Sequence, residues 1–273
     1  MLLFKNFNHE GIRTGNHLFQ YASILGLAYR YGHEIKLPKY PYANYFKWFP
    51  EILNEKENIT HTIDFPNINI VEDSSFHDIL SDKNATININ WLWGQSHKNW
   101  EDNEQKVKDA LSFSPEKILE IMDGWEKILL AKPIAMSVRR GDYVGHTMFY
   151  QLTKKYYLDC IKNLRDILGN NPIIVFSDDI NWCKTEFKDV ENIYFSTNKT
   201  FVGKNHFDDP YQQLILMSLC SHHIISNSTF SWWGAYLGKD KEQIVIRPSR
   251  HLTNEKDFNI NLYYPQNWLI QET

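Results

Sequence analysis

The second half of the chain alternates apolar, strand-like runs with amphipathic helical segments. Because strands separated by helices cannot pair as tight hairpins, this repeated alternation requires a mostly parallel sheet with helices packed on its faces. The predicted strands and helices are, in chain order, Pro133–Val138, Lys154–Leu168, Pro172–Ser177, Ile180–Phe187, Ile193–Ser196, Pro210–Cys220, His222–Ser226, Ser231–Leu237 and Gln243–Arg247. The sequence therefore predicts an α/β domain over residues 132–247.

The first half begins with the same kind of unit. Leu2–Phe7 is an apolar run typical of a strand, and Gly15 and Asn16 then open a helix whose apolar residues recur at helical spacing. Gly32 gives that helix a C-terminal stop. Gly15 and Asn16 are thus expected where a strand turns into a helix, a position from which backbone N–H groups and a side-chain amide can contact a ligand.

The change in regularity also suggests where the domains meet. At 273 residues the chain is long enough for two domains of ordinary size. We place the boundary near Ala131–Pro133, where the alternating pattern begins. We therefore expect a first α/β domain over residues 1–131, a second over residues 132–247, and a tail over residues 248–273 that packs back on the first domain.

Two adjacent arginines, Arg139 and Arg140, follow the first strand of the second domain, in the segment SVRRGDY. The carboxyl ends of parallel strands are where such sheets bind ligands, and a guanidinium group is a strong partner for phosphate oxygens. Gly141 lets the backbone turn, and Asp142 can hold one arginine in place. These residues predict an anion site, although a surface turn with a local ion pair has the same sequence.

A second anion-binding signal follows the predicted strand His222–Ser226, where Asn227, Ser228 and Thr229 lead into a helix. The first turn of a helix offers unpaired backbone N–H groups and the positive end of the helix dipole. The hydroxyl groups of Ser228 and Thr229 add donors at the same point, so a phosphate group fits there. We therefore expect Asn227, Ser228 and Thr229 to bind the substrate. The alternative is that one of these hydroxyls only caps the helix.

The composition is that of a globular protein, with 42% hydrophobic and 23% charged residues. A net charge of −4 argues against general nucleic-acid binding. The three cysteines, Cys160, Cys183 and Cys220, are too few for a disulfide scaffold, and we expect reduced thiols. No signal peptide or membrane-spanning run is visible. We therefore expect a cytoplasmic protein without a transmembrane segment, for which peripheral membrane contact stays open.

Three segments in combination resemble a known family. They are GNHLFQYA (Gly15–Ala22), SVRRGDY (Ser137–Tyr143) and SNSTFSWWGAYL (Ser226–Leu237). Their type and order are similar to those of glycosyltransferase family 11, the α-1,2-fucosyltransferases, and the resemblance spans almost the whole chain. It implies a GT-B architecture, in which two Rossmann-like domains face each other across a cleft and the second domain binds most of the nucleotide.

Four residues depart from the family pattern. Ser137 stands where the family usually has a histidine, and His17 replaces a glutamine. Gln213 stands where an acidic residue is frequent, and Arg13 where glycine is usual. A role that the family histidine has in relatives therefore does not carry over to Ser137. These changes affect the expected substrate more than the expected reaction type.

The resemblance implies a reaction, which is transfer of L-fucose from GDP-β-L-fucose to the 2-hydroxyl of a terminal galactose in an oligosaccharide or surface polysaccharide. Because a β-linked donor gives an α-fucoside, a single inverting displacement through an oxocarbenium-like transition state is expected. Negative charge then builds on the departing diphosphate. GDP-fucose and a galactose-containing glycan are the expected partners, with no cofactor and no metal ion.

The resemblance also suggests roles for the candidate residues. Arg139 and Arg140 are expected to stabilise the diphosphate, helped by the hydroxyl-rich helix start at Ser228, while Gly15 and Asn16 contribute from the first domain. These contacts supply fixed donors where negative charge develops, which is the largest catalytic effect expected here.

A base should assist the acceptor hydroxyl, and His146, just beyond the RRGD turn, is the candidate. Asp142 is its rival. Asp178 and Asp179 look like the paired carboxylates that bind a metal in another large class of sugar transferases, but GT-B enzymes work without that metal. At a strand end, these carboxylates are expected to accept hydrogen bonds from the N–H groups of guanine instead.

Other functions share these sequence features. A fucosyltransferase of another linkage, or a transferase that uses GDP-mannose or another GDP-sugar, would carry the same motifs. A protein that binds a GDP-sugar or a glycan without turnover would fit the departures at Ser137, His17 and Gln213. An adhesion protein would use the triplet Arg140-Gly141-Asp142, but it would have to be secreted, and reduced cysteines argue against that.

Two tryptophans, Trp91 and Trp93, alternate on a strand predicted over Thr86–Gly94 and therefore share one of its faces. The default expectation for such a pair is a place in the core. The alternative is a platform on which a sugar ring stacks.

Overall fold

The protein forms two compact units, each built around one parallel sheet. The structure is a computed structural model that describes residues 1–7, 13–53, 57–67, 70, 74–196, 209–254 and 259–273. The first unit comprises Met1–Ser114 with Asn261–Pro265, and the second comprises Pro115–Ile260 with Gln266–Thr273. The predicted α/β class is confirmed for both units, because parallel strands alternate with helices in each.

The first unit has a five-stranded sheet of order β3-β2-β1-β5-β4, in which every neighbouring pair is parallel. Its elements, in chain order, are β1 (Leu2–Leu3), α1 (Thr14–Tyr31), β2 (Ile35–Leu37), β3 (Glu51–Ile52), β4 (His61–Phe65), α2 (His77–Ser81), β5 (Ile87–Leu92) and α3 (Glu104–Ala110). β1 is the central strand of this sheet, and β5 lies beside it. Open α/β sheets bind ligands outside the carboxyl ends of their strands.

Helix α1 is the central element of the first unit. It is buried from Gly15 to Ala28 except at Asn16, and it ends at Gly32, which adopts the left-handed conformation (φ 64°) expected of a C-terminal stop. Gly26 permits its close packing, because an added Cβ would lie 2.4 Å from the carbonyl oxygen of Asn99. The helix start that carries Gly15 and Asn16 is thereby fixed against the sheet.

The second unit has a six-stranded sheet of order β11-β10-β9-β6-β7-β8, again parallel throughout. Its elements, in chain order, are α4 (Pro115–Met122), α5 (Glu126–Leu130), β6 (Ile134–Val138), α6 (Lys154–Leu168), β7 (Ile173–Ser177), α7 (Ile180–Glu186), β8 (Ile193–Phe195), α8 (Pro210–Ser218), β9 (His222–Ile224), α9 (Thr229–Tyr236), β10 (Val245–Pro248) and β11 (Leu269–Gln271). The predicted helices and strands of this half agree with the observed ones to within two residues. The order changes direction between β6 and β9.

The core of the second unit lies between its sheet and the helices on one face. Met136 and Val138 of β6 pack with Tyr157 and Cys160 of α6 and with Cys183 of α7. All three cysteines are buried and unpaired, so the prediction of reduced core thiols is confirmed. This packing fixes the ends of β6 and β7, from which the polar candidate residues project.

The units divide at Ser114 and Pro115, earlier than the expected boundary near Ala131–Pro133. The reason is that α4, although it precedes the alternating pattern, packs against α8 of the second unit.

The tail agrees only in part with the expectation that it packs on the first domain. A short helix, α10 (Ile260–Tyr263), leads into a segment that belongs to the first unit, where Ser96 Oγ donates a hydrogen bond of 2.6 Å to the carbonyl oxygen of Leu262. The following residues return to the second unit, because β11 pairs with β10.

Candidate functional site

Three loops meet at the carboxyl edge of the second sheet. They follow the neighbouring strands β9, β6 and β7, and they carry the polar segments that the sequence singled out. The switch point of the sheet lies between β6 and β9, so the arginine loop and the hydroxyl-rich loop lie on either side of it. This is where an open α/β sheet accommodates a ligand.

Arg139 is held by two carboxylates. Its Nη2 lies 2.5 Å from Asp142 Oδ1, and its Nη1 lies 2.9 Å from Asp178 Oδ2. The guanidinium also lies 5.3 Å from the centre of the Tyr143 ring. Its Nε is buried and has no hydrogen-bond partner among the described residues. Arg139 is therefore fixed in position by its two terminal nitrogens.

Arg140 is held differently. Its Nε donates to Asp179 Oδ2 at 3.1 Å, and its guanidinium lies 4.0 Å from the centre of the Trp182 ring, within cation–π range. Its two terminal nitrogens donate no hydrogen bond to a described residue. Asp179 and Trp182 thus fix the orientation of Arg140, and its two terminal nitrogens form a planar pair of donors for an oxyanion.

Asp178 and Asp179 hold the arginine loop. Asp178 Oδ1 accepts from the backbone N–H of Arg140 at 2.9 Å, and Asp179 Oδ1 caps α7 by accepting from the N–H of Trp182 at 3.2 Å. The second oxygen of each carboxylate is the one paired with an arginine. All four oxygens are therefore engaged, so this geometry fits an arginine-positioning role better than the expected contact with guanine.

Gly141 is needed for this arrangement. A Cβ at this position would lie 2.5 Å from Asp178 Oδ2, so any side chain would displace the carboxylate from Arg139. In the triplet Arg140-Gly141-Asp142, both charged residues form ion pairs and the glycine lies against Asp178. An adhesion motif requires a freely presented loop, and this triplet does not form one.

Asn227 and Tyr143 tie the loops together. The buried Asn227 amide donates to the carbonyl oxygens of Tyr150 (2.8 Å) and His251 (2.7 Å). The Tyr143 hydroxyl donates to the carbonyl oxygen of Asn227 at 3.2 Å, and burial raises the pKa of Tyr143 to about 12, so it stays a donor at neutral pH. Asn227 was expected to bind substrate, but its side-chain amide nitrogen is hydrogen-bonded to these two backbone carbonyl groups.

The start of α9 matches both sequence interpretations of the hydroxyl-rich turn. Ser228 is the N-cap, and its Oγ accepts from the N–H of Phe230 at 3.3 Å. Ser231 Oγ donates to the carbonyl oxygens of Ser226 and Ser228, which makes the turn rigid. Thr229 is only partly buried, and no described residue contacts its hydroxyl, so it is a donor available beside the helix N-terminus.

His146 lies on the outside of the same loop system. Its ring is 4.9 Å from that of Phe149, which stacks on Tyr143 at 4.0 Å with the planes 2° apart. His146 is exposed, and its Nδ1 accepts from the N–H of Met148 at 3.1 Å. Because that nitrogen accepts, a neutral ring carries its proton on Nε2 and cannot take a second proton there. The rival base, Asp142, is engaged by Arg139.

In the first unit, Gly15 and Asn16 lie in the first turn of α1, the helix that follows the central strand β1. Gly15 is buried. Asn16 Oδ1 accepts from Gln95 Nε2 at 3.1 Å, and Gln95 follows the end of β5. The Asn16 amide nitrogen has no partner among the described residues, so it remains a donor at the edge where ligands bind.

Three residues of these sites had no role assigned from the sequence. Trp182 supports Arg140, Tyr143 joins two loops, and Gln95 orients Asn16. Tyr143 could have been found, because it belongs to the quoted segment SVRRGDY. Trp182 and Gln95 belong to no motif and are placed only by the fold. Ser137 is buried within β6, in register with Phe176.

Over the ranges that the structure describes, no group of three or more histidine, cysteine, aspartate or glutamate side chains is arranged to hold a metal ion. In the same part of the chain, no helix combines the length and apolar character needed to cross a membrane.

Solved structures share the fold at low sequence identity. POFUT1 in complex with GDP-fucose has a TM-score of 0.55 and 13% identity, with 89% of this chain and 96% of that chain covered. NodZ α-1,6-fucosyltransferase soaked with GDP-fucose has a TM-score of 0.54 and 15% identity, with 86% and 92% covered.

Curated relatives match at higher identity over shorter segments. The O-antigen biosynthesis glycosyltransferase WbnK of Escherichia coli is 36% identical over 44% of this chain, and an α-1,2-colitosyltransferase of the same species is 31% identical over 64%. The aligned segments span 39% and 59% of those two proteins. The galactoside 2-α-L-fucosyltransferase SEC1 of Bos taurus is 30% identical over 38% of this chain and 28% of its own length.

The family model for glycosyl transferase family 11 matches residues 7–271, which includes every candidate residue described above. The chain belongs to glycosyltransferase family 11.

Proposed function

We propose that this protein is a metal-independent, inverting transferase that moves L-fucose from GDP-β-L-fucose to the 2-hydroxyl of a terminal galactose. Family membership supports transfer of a sugar. Two relatives support the linkage, since one is named an α-1,2-colitosyltransferase and another a galactoside 2-α-L-fucosyltransferase. Solved structures of the same fold contain GDP-fucose, which supports the nucleotide.

The architecture proposed with this function is GT-B, with two Rossmann-like units. Each unit has a wholly parallel sheet, and the second unit carries the candidate anion site at the switch point of its sheet. The proposal places GDP on the second unit and the acceptor on the first.

The observation that carries the proposal is the anion site formed by Arg140 and the start of α9. Arg140 presents two terminal nitrogens that donate no hydrogen bond to a described residue, and the hydroxyl of Thr229 lies at the N-terminus of α9. The two come from strands that flank the switch point. A diphosphate leaving group would meet a fixed guanidinium and a helix dipole, so its developing charge is stabilised without reorganisation.

The carboxylates explain how the arginines are kept in place without a ligand. Asp142, Asp178 and Asp179 surround Arg139 and Arg140, so the cluster carries one more negative than positive group. Because Asp178 and Asp179 already accept from protein donors, we propose that they orient the arginines and that positive charge for the diphosphate comes from Arg140 and α9. A divalent ion then has no required place in the reaction.

We propose that His146 is the general base that assists the acceptor hydroxyl. The rival, Asp142, is already engaged in an ion pair, since its Oδ1 lies 2.5 Å from Arg139 Nη2. His146 can accept a proton at Nδ1 once its ring leaves the N–H of Met148, and its exposure gives the ring room to turn. A neutral imidazole is suited to this step near pH 7.

A second candidate donor has support of its own. The colitosyltransferase aligns with 64% of this chain, against 38% for the bovine fucosyltransferase. Colitose is fucose without its 3-hydroxyl, so the two donors share the diphosphate contacts and differ only at the sugar. The names of both relatives give the same linkage position, since one is an α-1,2-transferase and the other a galactoside 2-α-transferase.

The proposed function is tested by GDP release from GDP-fucose with a panel of galactosides, in excess EDTA and with the product linkage determined. We expect turnover to persist in EDTA and the product to be a 1,2-linked α-fucoside, because a guanidinium and a helix N-terminus replace the metal. Loss of activity on chelation, restored by manganese or magnesium, would contradict metal independence. Preference for GDP-colitose would shift the donor assignment, and another linkage would remove the acceptor assignment.

Arg140→Ala should lower kcat by on the order of 10²–10³, the range for loss of one preorganised donor. The effect on donor KM should be smaller, because the diphosphate is more negative in the transition state than in the bound donor. Arg140→Lys should not restore the rate, since a point charge cannot give two parallel contacts. Arg30→Ala, which removes an equivalent ion pair to Asp102 in the first unit, is the matched control. A near-normal rate for Arg140→Ala would show that the arginine is structural.

His146→Ala should slow transfer to the acceptor by about 10²-fold or more, which is the usual contribution of a general base, and should leave GDP affinity unchanged. His61→Ala removes an exposed histidine of β4 and serves as the control. The measurements are steady-state transfer rates and GDP binding by calorimetry. Normal transfer by His146→Ala would place the base elsewhere.

A further inference from the structure

An exposed pair of indole rings lies at the end of β5 in the first unit. Trp91 and Trp93 are 37% and 40% exposed, and their rings are nearly parallel, with centroids 6.4 Å apart and planes 23° apart. They share a face as expected from their spacing, but the default expectation of a place in the core is wrong. We call this pair the tryptophan platform.

A β-bulge turns the platform outward. Ile63 of β4 pairs with Ile89, but the next residue, Asp64, pairs with Trp91, so Asn90 is an extra residue in β5. The insertion shifts the alternation by one position. Leu92 therefore takes the buried face, and the two indoles lie on the solvent side. Large apolar side chains kept in water at a bulge beside a ligand-binding edge indicate a functional surface.

A row of polar side chains runs beside the platform. Asn6 Nδ2 donates to the carbonyl oxygen of Asn90 (2.9 Å) and to its Oδ1 (3.2 Å), and Asn90 Nδ2 donates to Asp64 Oδ1 (2.9 Å). All three side chains are exposed. Each is held by its neighbour, yet Asn6 Oδ1 and Asp64 Oδ2 have no partner among the described residues. The row offers fixed acceptors without a positive charge.

The platform lies at the carboxyl edge of the first sheet. Trp93 follows β5, and two residues later Gln95 donates to Asn16 at the start of α1. The carboxyl ends of the strands are where an open α/β sheet binds its ligand. The platform, the polar row and Asn16 are therefore arranged along one edge of one sheet.

We propose that the tryptophan platform and the row Asn6–Asn90–Asp64 bind a pyranose ring of the acceptor glycan. A pyranose has an apolar C–H face and a rim of hydroxyls, and the site supplies a flat aromatic surface beside carboxylate and amide groups. The five side chains carry one negative charge and no positive one, so a phosphate-bearing donor does not fit there. This inference rests on the proposed function and assigns its acceptor subsite.

The test compares Trp91→Ala, Trp93→Ala and Asp64→Asn with the unaltered protein, with a galactoside as the probe. The acceptor KM should rise by about tenfold for each tryptophan variant, since loss of an aromatic stacking partner corresponds to roughly that change in affinity. GDP affinity and acceptor-independent hydrolysis of GDP-fucose should stay unchanged. Trp91→Phe, which keeps an aromatic face, should recover most of the loss and excludes misfolding as its cause.

Trp48→Ala is the matched control, because Trp48 is 48% exposed and precedes β3, at the other edge of the sheet from β4. Binding of the galactoside is also followed directly by saturation-transfer NMR, which needs no turnover and so separates this inference from the proposed function. The unaltered protein could bind the galactoside without turnover, while the platform variants lose that binding. Such a result would contradict the proposed function and support the subsite. The subsite proposal would be overturned if Trp91→Ala and Trp93→Ala left both the acceptor KM and the saturation transfer unchanged. It would also be overturned if the unaltered protein did not bind the galactoside.

Discussion

The candidate chemistry of this protein depends on how two guanidinium groups are held at the carboxyl end of a parallel sheet. Asp142, Asp178 and Asp179 contact Arg139 and Arg140 from both sides, and Gly141 is bare so that Asp178 can approach. Without these contacts, two adjacent arginines would repel each other and move freely in solvent. The aspartates therefore determine which arginine nitrogens are used by the protein and which remain for a ligand.

The same principle of fixed polar groups applies to both sheets. In the second unit, Tyr143 and Asn227 connect loops from neighbouring strands, so the anion site is supported by buried hydrogen bonds. In the first unit, a bulge in β5 places Trp91 beside a hydrogen-bonded polar row. In each case the candidate ligand-binding groups lie at the carboxyl ends of parallel strands, and rigid elements hold them in position.

The sequence predicted the second unit closely because each strand and helix there carries its own signal, such as Asp209 as the N-cap before Pro210. The sequence also predicted that Arg139 and Ser228 lie at the carboxyl ends of strands in the same sheet. It could not predict the domain boundary, since α4 joins the second unit only through its contact with α8. Nor could it place Trp91 and Trp93, because the bulge that exposes them is a property of strand pairing. The engagement of Asp178 and Asp179 by arginines, and of His146 by Met148, likewise depends on distances that spacing does not encode.

The most direct test of the account is a crystal structure of the protein with GDP bound. The account predicts diphosphate oxygens at hydrogen-bond distance, about 2.7–3.2 Å, from the terminal nitrogens of Arg140 and from N–H groups in the first turn of α9. Asp178 and Asp179 should still contact the arginines. A nucleotide bound elsewhere, with Arg140 making no phosphate contact, would contradict the central claim that this cluster stabilises the leaving group.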